Sequence, residues 1–263
     1  MSKRLVIAWR LAILVAVVLL WEFLPQIDWL SARVTFLDPF FISSPSGIAE
    51  RMWQLASGAD GSVMIWPYVL RTLGATLVGT AIGVLLGMLM GLLLSSSKPF
   101  ADVLGFYINA LNSVPRIALI PVIILLAGVN FTTSVVSGVL VVFFLAFFNA
   151  YEGGTRVPAA VLHNATIMGA SRRKILTEIR FRYVMLWTFA AIPNAIAFGL
   201  LMVVASELLS GAPGIGQLML LATSNLDASL TFAVVVFLSV IGTGMLAIAE
   251  RAKGRILHWA DDL

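Results

Sequence analysis

The sequence has 263 residues, of which 60% are hydrophobic and 11% are charged. A soluble globular domain is about 45–50% apolar and about 25% charged, so lipid must cover much of the apolar surface of this chain. This composition excludes a soluble enzyme and a disordered protein. The absence of Cys excludes a disulfide scaffold, and a net charge of only +4 argues against nucleic acid as a partner.

Six segments are apolar enough to cross a bilayer, for which a helix needs about 20 residues. In chain order they are 11–24 (with an extension to residue 5), 68–94, 101–129, 132–151, 183–209 and 230–249. The sequence therefore predicts an all-α integral membrane protein with six transmembrane helices. A signal peptide is an alternative for the first segment, but no small-residue cleavage site follows it.

The Lys and Arg residues of the loops predict the orientation of the spans. Thirteen of the 17 basic residues fall on one side of the predicted topology. They are Lys3, Arg4, Arg10, Lys98, Arg156, Arg172, Arg173, Lys174, Arg180, Arg182, Arg251, Lys253 and Arg255. Both termini of this multi-pass protein are therefore predicted to be cytoplasmic.

The first external stretch, 25–67, contains the segment GIAERMWQLASG directly after Ser46. Ser46 can cap a short helix there, with an apolar face of Ile48, Met52 and Leu55. We expect this helix to lie at the outer interface in a structural role. The chain is accordingly divided into 1–67, which holds the first span and this segment, and a five-helix core, 68–263, which includes a cytoplasmic loop at 152–182.

The second span carries a glycine at every fourth position. These residues are Gly79, Gly83, Gly87 and Gly91. On a helix they form a flat ridge that lets another backbone approach closely. The ridge predicts helix packing, either within one chain or across a dimer face.

The third span is broken by Pro115 and Pro121 and carries a charge between them, Arg116. Arg116 lies about 22 Å into the span at 1.5 Å per residue, and Asn109, Asn112 and Ser113 precede it. A charge at that depth tends to face a cavity or a partner. One hypothesis is a pathway cation that attracts an anionic solute, and the alternative is a structural Arg bonded to carbonyls freed by the prolines.

The cytoplasmic loop 152–182 has the pattern of two short amphipathic helices. Pro158 can start the first helix, Gly169 ends it, and Ser171 can cap the second, RRKILTEIRFR. The loop is either a docking surface for another protein or an interfacial hairpin held to anionic lipid by its Arg residues.

The fifth span adds two polar candidates. Asn194 follows Pro193 and can line the same cavity as Arg116. Glu207 precedes LLSGAPGIGQLM, a Gly- and Pro-rich segment. Non-helical backbone at membrane depth needs protein or a water-filled cavity around it, so this segment is either a gate or a plain external turn with a solvated Glu207.

Residues for catalysis, nucleotide binding or metal binding are lacking. No P-loop occurs, and His163 and His258 have no partner at i+4, so neither metal ligation nor catalysis is expected. No carboxylate falls in the middle of a span, where ion-coupled transporters usually carry one. The chain is therefore a passive pore, or a partner supplies the energy.

The sequence resembles the permease subunit of bacterial ABC importers, in the branch that includes nitrate, taurine and aliphatic-sulfonate transporters. The similarity covers SPSGIAERMWQL, the glycine ridge, NSVPRIALIPVIIL and ASELLSGAPGIGQLM. In the cytoplasmic loop, HNATIMGASRR matches the family's E-A-A-x-x-x-G signature at Ala165, Gly169, Ala170, Ser171 and Arg172. It departs from the signature at His163 and Asn164, which replace its acidic residue and following alanine, and at Arg182, where a proline is common.

This resemblance implies a type I importer permease of the bacterial inner membrane, which is not itself an enzyme. The loop would hold a coupling helix that docks on a separate cytoplasmic ATPase dimer, and that ATPase would bind the ATP and Mg. Two permease copies, most simply a homodimer, would then alternate between inward-open and outward-open states. A solute-binding protein outside the membrane would deliver a small, anionic solute such as a sulfonate, taurine or nitrate. A passive six-helix channel and a structural membrane subunit of an enzyme complex are the alternatives.

Overall fold

The computed structural model describes residues 3–27, 29, 33–34 and 38–256, and these residues form helices and loops without a strand. The α-helices of this part are α1 (Lys3–Phe23), α2 (Pro39–Ile42), α3 (Pro45–Ser57), α4 (Trp66–Ser96), α5 (Lys98–Asn112), α6 (Ile120–Ala127), α7 (Phe131–Thr155), α8 (Ala159–Ile167), α9 (Arg172–Lys174), α10 (Phe181–Ala190), α11 (Ile192–Ser210), α12 (Ile215–Ser224) and α13 (Ala228–Ile256). A π-helical turn, Ile175–Arg180, joins α9 to α10.

Among the described residues, five helices are long and apolar enough to cross a membrane: α1, α4, α7, α11 and α13. A sixth crossing is made if α5 and the segment Arg116–Ala127 count as one span, although the two are bent by 86°. These correspond to the six predicted segments. The prediction of a fifth span over 183–209 needs correction, because the helix breaks at Ala191, just before Pro193, and only α11 has the length and composition of a span.

Residue contacts divide the chain into two compact units, Met1–Pro67 with Leu218–Val240, and Tyr68–Gln217 with Ile241–Leu263. The predicted division into 1–67 and 68–263 remains a prediction about sequence organisation.

In the first unit, α3 begins two residues earlier than a cap at Ser46 would place it. Ser44, not Ser46, is the N-cap, because its side chain accepts a hydrogen bond from the Gly47 N–H and Pro45 occupies the first turn. Ser46 is engaged elsewhere: its N–H and its hydroxyl both donate to the Glu22 carboxylate, at 3.0 and 2.7 Å. Ile48 and Leu55 are buried, as the apolar face of the helix predicts.

In the second unit, α4 packs against α7 along the glycine ridge. All four ridge glycines are buried. A Cβ on Gly87 would lie 2.6 Å from the Phe143 carbonyl oxygen and 2.7 Å from the Phe147 nitrogen. A Cβ on Gly83 would lie 2.8 Å from Val142. The ridge is therefore occupied by α7 of the same chain, so it is not free to form a dimer face.

Candidate functional site

The predicted coupling segment is α8 with the turn that follows it. The Gly169 N–H donates to the Thr166 carbonyl at 3.0 Å, and the Ala170 N–H donates to the Ala165 carbonyl at 2.9 Å. Gly169 has a φ of +81°, a conformation that a residue with a Cβ adopts at a cost. This is a Schellman ending, and it confirms the prediction that the helix stops at Gly169.

The surface of α8 is open. Ile167 is 71% exposed and Met168 is 86% exposed, and His163 and Asn164 are exposed on the same helix. Ala165 and Ala170 are half-buried at the turn. These two large apolar side chains keep most of their surface exposed in the folded chain, which is the pattern of a surface that a partner or a lipid covers.

The second predicted loop helix is not separate. Ser171 caps it, because its hydroxyl accepts from the Lys174 N–H at 3.2 Å, and Arg172 is exposed in its first turn. From Arg172 the backbone runs through α9, the π-helical turn and α10 without a break. The physical reason is that residues 172–190 include neither Gly nor Pro, so no residue in this stretch stops a helix.

Two clefts lie in the second unit along α5 and α7. The larger, of about 640 Å³, is lined by Asn109, Asn149, Glu152 and several aromatic side chains. The smaller, of about 330 Å³, is lined by Asn112, Arg116, Asn149 and three Phe rings. Phe148 and Asn149 line both, so the two clefts adjoin on α7.

Arg116 lies at the bend between α5 and α6 and is half-buried in the smaller cleft. Its Nη2 donates to the Asn112 side-chain oxygen, and its guanidinium carbon lies 5.2 Å from the centre of the Phe144 ring, within range of a cation–π interaction. Its Nε is buried and has no hydrogen-bond partner among the described residues. Asn112 thus accepts from one of the five N–H groups of the guanidinium, and both side chains line the smaller cleft.

The other predicted pathway residues, apart from Asn112, do not line the cleft that holds Arg116. The Ser113 hydroxyl is exposed and donates to the Asn109 carbonyl at 3.0 Å. Asn194 is exposed on α11 and is not among the lining residues of either cleft. The structure therefore brings Asn112 and Arg116 together, puts Asn109 in the adjoining cleft, and leaves Asn194 apart.

Glu207 is 1% exposed, which excludes a solvated external Glu207. The Thr72 hydroxyl donates to its carboxylate at 2.8 Å, and the Gly216 N–H donates to it at 3.1 Å. The Ile215 N–H in turn donates to the Thr72 hydroxyl oxygen at 2.8 Å. Side chains from α4 and α11 thus accept hydrogen bonds from the first two N–H groups of α12. They cap α12 although neither lies next to its first residue in the sequence.

Glycine is required just before α12 and in its first turn, where the backbone meets this carboxylate. A Cβ on Gly216 would lie 2.5 Å from the Val204 carbonyl oxygen and 2.6 Å from the Glu207 Cβ. A Cβ on Gly214 would overlap the Glu207 carboxylate itself. The G-x-G of the sequence therefore allows backbone to approach Glu207 closely.

Within the described residues, no three His, Asp or Glu side chains cluster closely enough to hold a metal ion. His163 is exposed on α8, and His258 lies outside the described residues.

Sequence reasoning missed three features of these sites. Asn149 and Phe144 line the smaller cleft from α7. The sequence signal that could have predicted a polar lining there is the single Asn in this apolar span. Thr72 begins a row of Thr72, Thr76 and Thr80 at every fourth position of α4, a pattern that marks one polar face. Arg180, counted only as a loop charge, is half-buried.

Comparison with known proteins gives a consistent result. The family model described as binding-protein-dependent transport system inner membrane component matches residues 83–257. The riboflavin transport system permease protein RibX of Chloroflexus aurantiacus is 29% identical over 220 residues, covering 84% of this chain and 81% of RibX. SsuC of Escherichia coli, a permease protein named for the transport of aliphatic sulfonates, is 23% identical, covering 93% of this chain and 89% of SsuC. The taurine transport system permease protein TauC of Escherichia coli is 22% identical over 88% of this chain and 84% of TauC.

Two solved structures share the fold. Both are inward-facing conformations of the MetNI methionine ABC transporter. One matches with a TM-score of 0.64 at 17% identity, covering 76% of this chain and 98% of the other. The second matches with a TM-score of 0.63 at 18% identity, covering 80% and 97%. The predicted all-α importer-permease fold is confirmed.

Proposed function

This chain belongs to the family of inner membrane components of binding-protein-dependent transport systems, and from that premise we propose that two copies of it form the solute pathway and that an ATPase drives them by binding α8. Membership makes the chain a multi-pass permease subunit of an ATP-driven importer. It is not an enzyme itself, because the ATPase of such a system is a separate subunit. An ATPase and a solute-binding protein are therefore its partners. A passive channel and a structural subunit of an enzyme complex have no such support.

The observation that carries the mechanism is the exposed α8 with its fixed end. Ile167 and Met168 offer apolar surface of the kind that docks in a protein groove. The Schellman turn at Gly169 fixes the direction of the chain that returns to α9. Docking on the ATPase covers these side chains, and the coupling residues are the exposed or half-buried members of the segment. These are His163, Asn164, Ala165, Gly169, Ala170, Ser171 and Arg172.

The proposed topology has both termini and α8 in the cytoplasm, on the side that the loop charges favour. ATP and Mg then bind only to the partner ATPase, because this chain has no P-loop. The second copy is proposed to be identical, which gives a closed two-fold pair.

The proposed solute is a small anion that passes the smaller cleft. Arg116 supplies the positive charge there, and Asn112 and Asn149 supply amide donors. The phenyl rings of Phe144, Phe148 and Phe198 form an apolar wall, which suits an anion with a hydrocarbon part. The names of two relatives, for aliphatic sulfonates and taurine, agree with this solute class.

The docking assignment is tested by exchanging Gly169 for Arg. The positive φ makes any Cβ unfavourable by about 1–2 kcal/mol, and the long side chain adds bulk to the docking surface. We expect Gly169→Arg to insert in the membrane normally and to lose co-purification with the ATPase. Gly169→Ala, which adds strain without bulk, is expected to retain part of it.

Gly254→Arg is the matched control. Gly254 lies in α13 with open space around it and has no positive φ, so this exchange also adds a charge to the predicted cytoplasmic side. It is expected to leave ATPase co-purification unchanged. Normal retention of the ATPase by Gly169→Arg would refute the docking assignment.

A further inference from the structure

One cation joins the ends of three helical segments in the second unit. Arg180 is the last residue of the π-helical turn, and its Nη1 donates to the Ser95 carbonyl near the end of α4. The same Nη1 donates to the Gly154 carbonyl near the end of α7 at 3.0 Å. We name Arg180 and these two carbonyls the Arg180 junction.

The junction follows from the chemistry of helix ends. The last four carbonyls of a helix have no partner within it, and their partial negative charge favours a cation. One guanidinium here satisfies carbonyls from two helices at once. Burial lowers the pKa of the Arg180 guanidinium from its ordinary value, and bonds from a partly desolvated cation are stronger than those in water.

The helices meet at the junction with no room for a methyl group. A Cβ on Gly153 would lie 2.8 Å from both the Tyr183 carbonyl oxygen and the Trp187 Cβ, so α7 touches α10 directly. A Cβ on Gly154 would overlap the Ser95 side chain, so α7 also touches the end of α4. Tight contacts of this kind transmit a displacement, because closely packed side chains resist compression.

The junction is connected to the coupling segment by continuous helix. Arg180 lies nine residues after Ser171, in a helical stretch whose last six residues form the π-helical turn. The stretch is capped at its start by Ser171 and has no break before Arg180. A movement of α8 on the ATPase therefore passes through the short Schellman turn at Gly169 and then along this helical stretch to Arg180.

We propose that Arg180 is a positioning residue for coupling, and that it makes the ends of α4 and α7 follow the segment driven by the ATPase. This inference rests on the proposed docking role of α8. Packing contacts resist compression but do not resist separation. Without the Arg180 bonds, α9 and α10 can therefore move away while α4 and α7 lag behind, so ATP hydrolysis continues and transport fails.

The test compares Arg180→Met, Arg180→Lys and Arg182→Met in proteoliposomes that hold the whole complex. Met keeps the length of the side chain and removes its charge and donors. Lys keeps the charge but, with a compact ammonium in place of the planar fork, is expected to restore only part of the coupling. Arg182 is exposed two residues further on, so Arg182→Met is the matched control for loss of a cytoplasmic charge.

The measured quantities are solute uptake and ATP hydrolysis, each per assembled complex. Loss of charge-assisted bonds is expected to lower uptake per ATP hydrolysed by about tenfold in Arg180→Met. Hydrolysis is expected to stay near that of the native complex. Arg180→Lys is expected to fall between the native complex and Arg180→Met, and Arg182→Met to match the native complex.

Two outcomes overturn the inference. The first is an unchanged ratio of uptake to hydrolysis in Arg180→Met, whether both rates stay at the native level or both fall by the same factor, which marks a merely structural role. The second applies if Arg180→Met does not assemble, and is an unchanged ratio in Arg180→Lys. Failure of the proposed function looks different, because the native chain itself would then retain no ATPase.

Discussion

Replacing Gly87 by Ala tests whether the glycine ridge holds α4 against α7. The added Cβ would lie 2.6 Å from the Phe143 carbonyl oxygen, whereas ordinary contact begins at 3.4 Å, so the helices must separate by the difference, 0.8 Å. The atoms it meets include backbone, which cannot rotate away. Overpacking of this kind costs about 1–3 kcal/mol, against a gain of about 1 kcal/mol in helix propensity. We therefore expect the free energy of unfolding to fall by up to about 2 kcal/mol relative to the native chain, and by about 1–3 kcal/mol relative to a Gly→Ala exchange at an open helix position.

The assay is equilibrium unfolding of the purified chain in mixed micelles, with Gly244→Ala as control. Gly244 lies in α13 with nothing within 4 Å of its added Cβ, so the control is expected to be neutral or stabilised by up to about 1 kcal/mol. The reasoning is refuted if Gly87→Ala unfolds like the control. It is also refuted if Gly87→Ala weakens the association of two copies and leaves the unfolding of one copy unchanged, because the ridge would then serve a dimer face.

Two further exchanges test the buried polar groups. Thr72→Val leaves the Ile215 N–H and the Glu207 carboxylate without the Thr72 hydroxyl, and we expect the free energy of unfolding in mixed micelles to fall by about 1–3 kcal/mol. The control, Thr223→Val, removes an exposed hydroxyl that is bonded within its own helix, and it should leave stability unchanged. Equal stability of the two variants would contradict the capping of α12. Arg116→Ala should lower uptake of an anionic solute by about tenfold or more with normal assembly of the complex, and Arg116→Lys should retain more uptake than Arg116→Ala; uptake at the native rate in Arg116→Ala would remove the pathway role of the cation.

The helices were predictable because hydropathy and helix-terminating residues are signals that a short stretch of sequence carries by itself. Apolar runs mark the spans, and Gly169 ends α8 because the left-handed turn is inexpensive only for glycine. The cap of α3 was assigned to Ser46 although Ser44 makes it. Pro45 decides the matter, since a proline favours the first helical turn and makes the residue before it the cap.

The polar contacts were not predictable because they join distant parts of the chain. Thr72 and Glu207 are 135 residues apart, and Arg180 is 85 residues from Ser95. Hydropathy shows that Glu207 ends a span and that Arg180 lies in a basic loop, but not which helix ends come together. The 86° bend at Arg116 is likewise implied only as a break at Pro115, with no direction.

The central claim is that this permease moves solute only when a separate ATPase drives it, and uptake by proteoliposomes tests it most directly. The native chain is reconstituted with the ATPase and the solute-binding protein, and again without the ATPase, and labelled solute is followed with and without ATP. The account predicts uptake that requires both the ATPase and ATP. Undiminished flux through the permease alone would contradict it.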